Sequence, residues 1–112
     1  MTEEEWLDGL KNLPDDVILD IHFGLQEKIK KHYKLRDKGD NLNKAIHFCE
    51  QQIALSSRAM KAMKNNPAMY NGSEFFAPSH YGFKQYSAIL KKRKELEKLS
   101  EITEKMKGEG GG

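Results

Sequence analysis

The apolar residues of this chain recur at the spacing of one helix face, and they do so twice on the same plan. In the last third of the chain, four aromatic, small or aliphatic residues are spaced three, one and three positions apart. After a run of charged residues, a second set of residues recurs at helical spacing. A weaker copy of this pair lies upstream. The positions are Phe83, Tyr86, Ser87, Leu90, Leu99, Thr103 and Met106 downstream, and Leu25, Tyr33, Ala45, Cys49 and Ile53 upstream. Helix pairs of this kind cannot bury one apolar face alone, so they are predicted to stack.

Start and stop signals divide the 112 residues into the parts of a single all-α domain. Thr2 and Glu5 form a capping-box pattern, Pro14 suits a first helical turn, and Ser79 is the expected N-cap of a later helix. Residues 91–94 are expected to form a solvated turn. The predicted elements are a short N-terminal helix at 3–11, a first helical hairpin at 15–63, an aromatic-containing loop at 64–78, a second hairpin at 79–107, and a disordered glycine tail at 108–112.

The predicted loop contains too many large apolar groups for an idle linker. Met69, Tyr70, Phe75 and Phe76 all fall within it, around the turn dipeptide that starts at Asn71. Long ordered loops are often where binding takes place. We therefore expect this loop to fold onto the body, and its role as a binding element or as a simple anchor stays open.

Composition limits the class of protein. Charged residues make up 32% of the chain, and no apolar run approaches the length that spans a bilayer, so a membrane partner is not predicted. Cys49 is the one cysteine, which excludes an internal disulfide framework. The acidic N-terminus is the opposite of the basic start of a signal peptide, and it predicts a cytoplasmic protein.

Charge is unevenly distributed along the chain. Residues 1–20 hold seven acidic residues against Lys11, whereas the net charge of the whole chain is +2. Trp6, Leu7 and Leu10 give this acidic arm an apolar face. We expect the arm to dock on the basic body, and the alternative is that the same face forms the seam of a homodimer.

Two segments resemble the tetratricopeptide repeat, in which a large aromatic, a large apolar, a small and a second large apolar residue lie at spacings of 3, 1 and 3. The downstream segment runs from Ser79 to Leu90 and continues from Leu96. The upstream segment resembles bacterial repeats through Tyr33-Lys34-Leu35-Arg36-Asp37 and through the run from Lys44 to Leu55. The resemblance implies a short right-handed array of antiparallel helical hairpins that binds other proteins through its first helices. Some members of the family bind C-terminal carboxylates with a Lys and an Asn. Lys84 matches the first of these, but Ala88 stands at the second, so that activity is not expected here.

The chain offers little for catalysis or for metal binding. His47 and Cys49 are two residues apart on a helix and therefore point to different faces. Cys49 lies on the apolar stripe, which is typical of a core thiol. The glycines at 108–112 are followed by no helix, so they do not form a phosphate-binding loop. No catalytic residue, metal site or cofactor is predicted.

Two functions remain after these exclusions. The first is a non-catalytic protein–protein interaction module, an adaptor or scaffold. Its expected partner-binding residues are Lys30, Lys34, Tyr70, Phe75, Phe76, Lys84 and Lys91. The alternative is a helical nucleic-acid-binding protein that uses its lysine-rich helices. Its expected contacts are Lys28, Lys31, Lys34, Lys91, Lys92, Arg93 and Lys94. Nucleic-acid binding should weaken steeply with salt, unlike an interface with an aromatic anchor.

Overall fold

Helices make up most of the computed structural model, which describes residues 2–108. Between the third and fourth helices, a 3-10 turn at Pro67–Met69 leads into two short antiparallel strands. This architecture confirms the predicted all-α class. Within the described residues the helices are α1 (Glu3–Leu10), α2 (Asp15–Lys34), α3 (Asn41–Lys64), α4 (Tyr81–Arg93) and α5 (Leu96–Gly108), and the strands are β1 (Tyr70–Asn71) and β2 (Glu74–Phe75).

Two apolar clusters form the core. The first is formed by residues of all four helices from α2 to α5, and it includes Ile29, Cys49, Tyr86 and Met106. The second lies between α2 and α3 around Ile18 and Leu55, and side chains of α1 and of the strand pair cover it. The helical spacing of these residues explains both clusters, because residues three and four apart share one face of a helix.

The first part of the acidic arm forms helix α1, which packs on its own chain. The Thr2 hydroxyl accepts a hydrogen bond from the Glu5 N–H at 3.1 Å, and the Glu5 carboxylate accepts one from the Thr2 N–H, which confirms the predicted capping box. Trp6, Leu7 and Leu10 are half-buried against the second core cluster. This packing agrees with the expected docking of the arm on the body, and the homodimer alternative stays a prediction.

Replacing Trp6 by Ala should therefore lower the free energy of unfolding by about 2 kcal/mol, less than for a fully buried aromatic, because the side chain is half-buried. Asp8→Ala on the exposed side of the same helix is the matched control and should change stability by less than about 0.5 kcal/mol. Urea melts measure both variants. If instead the parent protein runs at the mass of a dimer, and Trp6→Ala runs at the mass of a monomer with unchanged stability, the homodimer alternative is supported.

Several predicted boundaries need correction. The N-cap of α4 is His80 and not Ser79, because the His80 ring accepts a hydrogen bond from the Phe83 N–H. The predicted turn at 91–94 is helical as far as Arg93, and only Lys94 adopts the left-handed conformation, with φ 59°, that ends the helix. The first hairpin extends to Lys64. The second begins at Tyr81 and ends at Gly108, which belongs to α5, while the rest of the predicted tail, 109–112, lies outside the described residues.

The buried face of α4 is also rotated from the predicted one. Phe83 and Leu99 were expected in the core but are only partly buried, whereas Gly82 and Ile89, which were not expected there, are buried. Gly82 faces α3 at close range, which turns Phe83, about 100° further around the helix, to the flank of the interface. Ala45, Cys49, Ile53, Tyr86 and Leu90 are buried, as expected.

Candidate functional site

Long-range hydrogen bonds fix the directions of α2, α3 and α4. Along α2 and α3, Asp15 pairs with Asn65, the carbonyl of His22 with Gln52, and His32 with Asn41, so these two helices are antiparallel. Along α3 and α4, Gln52 bonds Gly82 and Glu50 bonds Tyr86, which makes this pair antiparallel as well. Helices α2 and α4 therefore run in the same direction.

Gln52 holds the three helices together. Its side chain is completely buried, its Nε2 donates to the His22 carbonyl at 2.9 Å, and its Oε1 accepts from the Gly82 N–H at 2.7 Å. The Gly82 N–H belongs to the first turn of α4, where a helix has no internal acceptor for it. A buried amide that is satisfied on both sides stabilises one arrangement of its neighbours. We call this group of Gln52, His22 and Gly82 the Gln52 junction.

His80 adds a second anchor at the beginning of α4. Its Nδ1 accepts from the Phe83 N–H at 3.0 Å, so the neutral ring must carry its proton on Nε2. That Nε2 lies 3.2 Å from the backbone oxygen of Gln52, to which it donates. The His22 and His80 rings meet edge to face, with their centroids 5.5 Å apart. The starting point of α4 is thereby fixed against both α2 and α3.

The face shared by α2 and α4 carries two of the predicted lysines. Lys30 Nζ lies 5.2 Å from the centre of the Tyr81 ring and 3.6 Å from the Glu27 carboxylate. Lys84 is exposed one turn beyond Tyr81 on α4. Cation–π contacts orient a lysine chain without removing its charge. This face, which we call the α2–α4 face, thus presents two cations beside one half-buried tyrosine.

The predicted aromatic loop is a short β-hairpin. Its two strands are joined at Gly72, whose φ of 65° places it in the left-handed region that favours glycine. The Tyr70 and Phe75 rings face each other across the strands with centroids 5.3 Å apart, and the Tyr70 hydroxyl donates to the Lys64 carbonyl at 2.7 Å. Phe75 packs against the second core cluster, while Tyr70 is 37% exposed and Phe76 is 56% exposed. Two aromatic side chains are therefore held at the surface by an ordered scaffold.

The structure does not bring all seven predicted residues together. The hairpin adjoins the end of α3 and precedes α4, so Tyr70, Phe75 and Phe76 form one group. Lys34 is twelve residues beyond His22 on α2, roughly 18 Å further along the helix axis. Lys91 lies near the same end on α4. Lys34 and Lys91 therefore belong to a separate surface.

A groove beside Trp6 was not predicted. It is open to solvent, has a volume of about 490 Å³, and lies between α1, α2 and α3, with Trp6, Ile21 and Phe48 among its lining residues. The Gln52 junction was also missed. Its sequence signal was a polar residue, Gln52, within the otherwise apolar stripe that contains Cys49 and Ile53.

Two ionisable side chains of the core have raised pKa values. Burial, with a smaller contribution from the neighbouring Glu50 charge, raises the pKa of the Cys49 thiol to about 12, so the thiolate is scarce at neutral pH. Burial also raises the pKa of Tyr86 to about 12, with Glu50 a second cause. Among residues 2–108, no three His, Cys, Asp or Glu side chains cluster closely enough to ligate a metal ion.

Comparison with known proteins identifies no family. No protein-family model matches the sequence, and no curated protein or solved structure is significantly similar to it. In the part of the chain that the structure describes, no helix is both long and apolar enough to span a membrane.

Proposed function

We propose that this protein is a non-catalytic, tetratricopeptide-like module that binds another protein through the α2–α4 face and the aromatic hairpin. The observation that carries this proposal is the exposure of Tyr70 and Phe76 on a hairpin whose register and backbone are fixed. Exposed aromatic side chains on a rigid scaffold are typical anchors of protein interfaces, because they bury a large area at a small cost in conformational entropy.

The helix arrangement supports the repeat-like part of the proposal. Helices α2 and α3 form one antiparallel pair, α4 and α5 follow as a second, and α4 packs against both helices of the first pair through the Gln52 junction. Stacking of consecutive helix pairs places the first helix of each pair on a common face. In this chain those helices are α2 and α4.

The chemistry of the buried groups agrees with a binding role. The cysteine thiol is kept protonated by burial, and the buried glutamine is fully used in joining helices. The single thiol needs no disulfide-forming environment, in accord with work in the cytoplasm. Binding, and not turnover, is the activity we expect.

Removing the exposed aromatics should abolish partner capture. The double substitution Tyr70→Ser and Phe76→Ser leaves Phe75 in place and should reduce recovery of the specific partner from a lysate of the native host by at least about tenfold. The measurement is affinity capture by the immobilised full-length chain, read by quantitative mass spectrometry. Circular dichroism should show unchanged helix content.

Val17→Ser is the matched control, because Val17 is also an exposed apolar residue but lies on α2 beside the Trp6 groove. It should leave capture intact. If Val17→Ser removes the partner and the hairpin variant does not, the binding surface is the Trp6 groove and the proposed site is wrong. If both variants retain every captured protein, the proposed function through the hairpin is wrong.

A further inference from the structure

The turns that follow α2 and α4 lie at the same end of the molecule. This follows from the shared direction of the two helices, which the Gln52 junction fixes. The beginnings of α3 and α5 lie there too, so residues 31–44 and 91–97 lie at one end of the molecule although they are about fifty positions apart in sequence. The molecule measures 42 × 25 × 25 Å, and α3 accounts for most of the long dimension. The two segments therefore share one end face with sides of 25 Å.

This end, which we call the basic end, concentrates positive charge. Its two segments hold nine Lys and Arg residues against four Asp and Glu, a net charge of +5, while the whole chain carries +2. All nine basic side chains are exposed: Lys31, Lys34, Arg36, Lys38, Lys44, Lys91, Lys92, Arg93 and Lys94.

Most of these charges are not engaged by the chain itself. The Arg36 guanidinium lies 4.5 Å from the centre of the Tyr33 ring, and Arg93 lies 3.8 Å from the Glu95 carboxylate. Within residues 2–108, the seven lysines of the basic end take part in none of the ion pairs. Their positive field is therefore directed to solvent, where it attracts an anionic partner.

Two large apolar side chains accompany this charge. Leu35, which caps the end of α2, is 37% exposed, and Leu96, the first residue of α5, is 64% exposed. Among residues 2–108 only Val17, Tyr70 and Phe76 are comparably exposed large apolar residues, and none of those three belongs to the basic end. An exposed leucine within a cationic surface gains when a partner covers it with apolar atoms.

We propose that the basic end is a second docking site, and that its partner is an acidic protein segment that carries apolar side chains. The proposal extends the protein-binding function to a different surface, so that the module joins one partner at the hairpin to another at the basic end. Carboxylates of the segment pair with the lysines, and its apolar residues cover Leu35 and Leu96.

A nucleic acid matches this surface less well. A phosphate backbone is attracted to the lysines, but it offers nothing apolar to cover two leucines. Base stacking needs accessible aromatic rings, and Tyr33, the aromatic residue of this end, is half-buried beneath Arg36. The combination of charge and exposed leucine therefore favours a protein segment.

The test compares three probes of equal charge by fluorescence anisotropy with the full-length chain. The first is a short helical peptide of Glu, Leu and Ala, the second has Ser in place of Leu, and the third is a short DNA duplex. We expect the Leu peptide to bind about tenfold or more tightly than the Ser peptide, because two leucines become buried. Raising the salt concentration should weaken the binding of both peptides but leave the ratio of their affinities unchanged.

Three variants decide the outcome. Leu35→Ser with Leu96→Ser should abolish the preference for the Leu peptide, and Lys34→Glu with Lys91→Glu and Lys92→Glu should abolish binding of both peptides. Phe76→Ser, at the hairpin, should change neither, which separates this site from that of the proposed function. Equal binding of the two peptides, or binding of the DNA duplex alone, would overturn the proposal. Circular dichroism confirms that each variant is folded.

Discussion

Gly82→Ala is expected to lower the free energy of unfolding by about 2–4 kcal/mol, although glycine to alanine inside a helix normally stabilises. A Cβ atom at Gly82 would lie 2.5 Å from Gln52 Oε1 and 3.2 Å from Gln52 Cβ. The glutamine cannot move aside freely, because it is completely buried and bonded to both α2 and α4. Either the clash remains or two buried hydrogen bonds are lost. Urea denaturation monitored by circular dichroism measures the effect.

Gly24→Ala is the matched control. Gly24 lies within α2, and a Cβ atom there would meet nothing within 4 Å. This variant should therefore be more stable than the parent by about 0.5–1 kcal/mol. In a Gln52→Ala background, Gly82→Ala should lose most of its cost, because Gln52 Oε1, the atom that the new Cβ approaches most closely, is gone. If Gly82→Ala stabilises the protein as Gly24→Ala does, the close approach of α4 to α3 is wrong.

Acidification from pH 6.5 to pH 4 is expected to destabilise the protein by about 3 kcal/mol through His22 alone. Burial, with a smaller contribution from His80, lowers the pKa of His22 to about 4 from an ordinary value of 6.5. The ring is only 4% exposed, and its Nδ1 is buried without a hydrogen-bond partner among the described residues. Between these two values the unfolded chain binds a proton that the native state does not, so stability falls as the pH falls. Once the pH is well above 6.5, this contribution is constant, because the ring is then neutral in both states.

Urea melts at half-unit pH steps measure this dependence. His22→Leu should remove most of the slope between pH 4 and pH 6.5, whereas His47→Gln, at an exposed position on α3, should preserve it. Titration of Asp15 does not account for the slope expected between pH 4 and pH 6.5. Hydrogen bonds from Asn65 and then Arg58 lower its pKa below 3.8, so its contribution is lost only at lower pH. A parent protein with constant stability from pH 6.5 to pH 4 would show that His22 is not buried as described.

Local sequence patterns predicted the helices well. The capping box at Thr2 and the apolar stripes of α2 and α3 depend on residues three and four apart, so periodicity alone reveals them. The rotation of α4 could not be predicted from the periodicity of the sequence. It follows from Gly82 and Gln52, which are thirty residues apart, and a pattern of local spacing cannot show that two such residues meet.

The candidate sites show the same difference between local patterns, which the sequence reveals, and long-range contacts, which it does not. The aromatic loop was recognised from Tyr70, Phe75 and Phe76 because such residues are unusual in a linker, but the β-hairpin that separates half-buried Phe75 from exposed Phe76 depends on backbone pairing. Lys34 and Lys91 were grouped with these aromatics. They lie at the basic end instead, because both stand in the last turn of their helices, far along α2 and α4 from the hairpin.

The central claim, that a partner protein binds at the aromatic hairpin and the α2–α4 face, is tested most directly by amide hydrogen exchange with and without the captured partner. Each strand of the hairpin has only two residues, so its amides should exchange quickly in the free protein. We predict that the partner slows exchange at residues 70–76 and in the first turns of α4, and leaves α1 unchanged. Unchanged exchange at the hairpin, with protection confined to α1 and the Trp6 groove, would contradict the account.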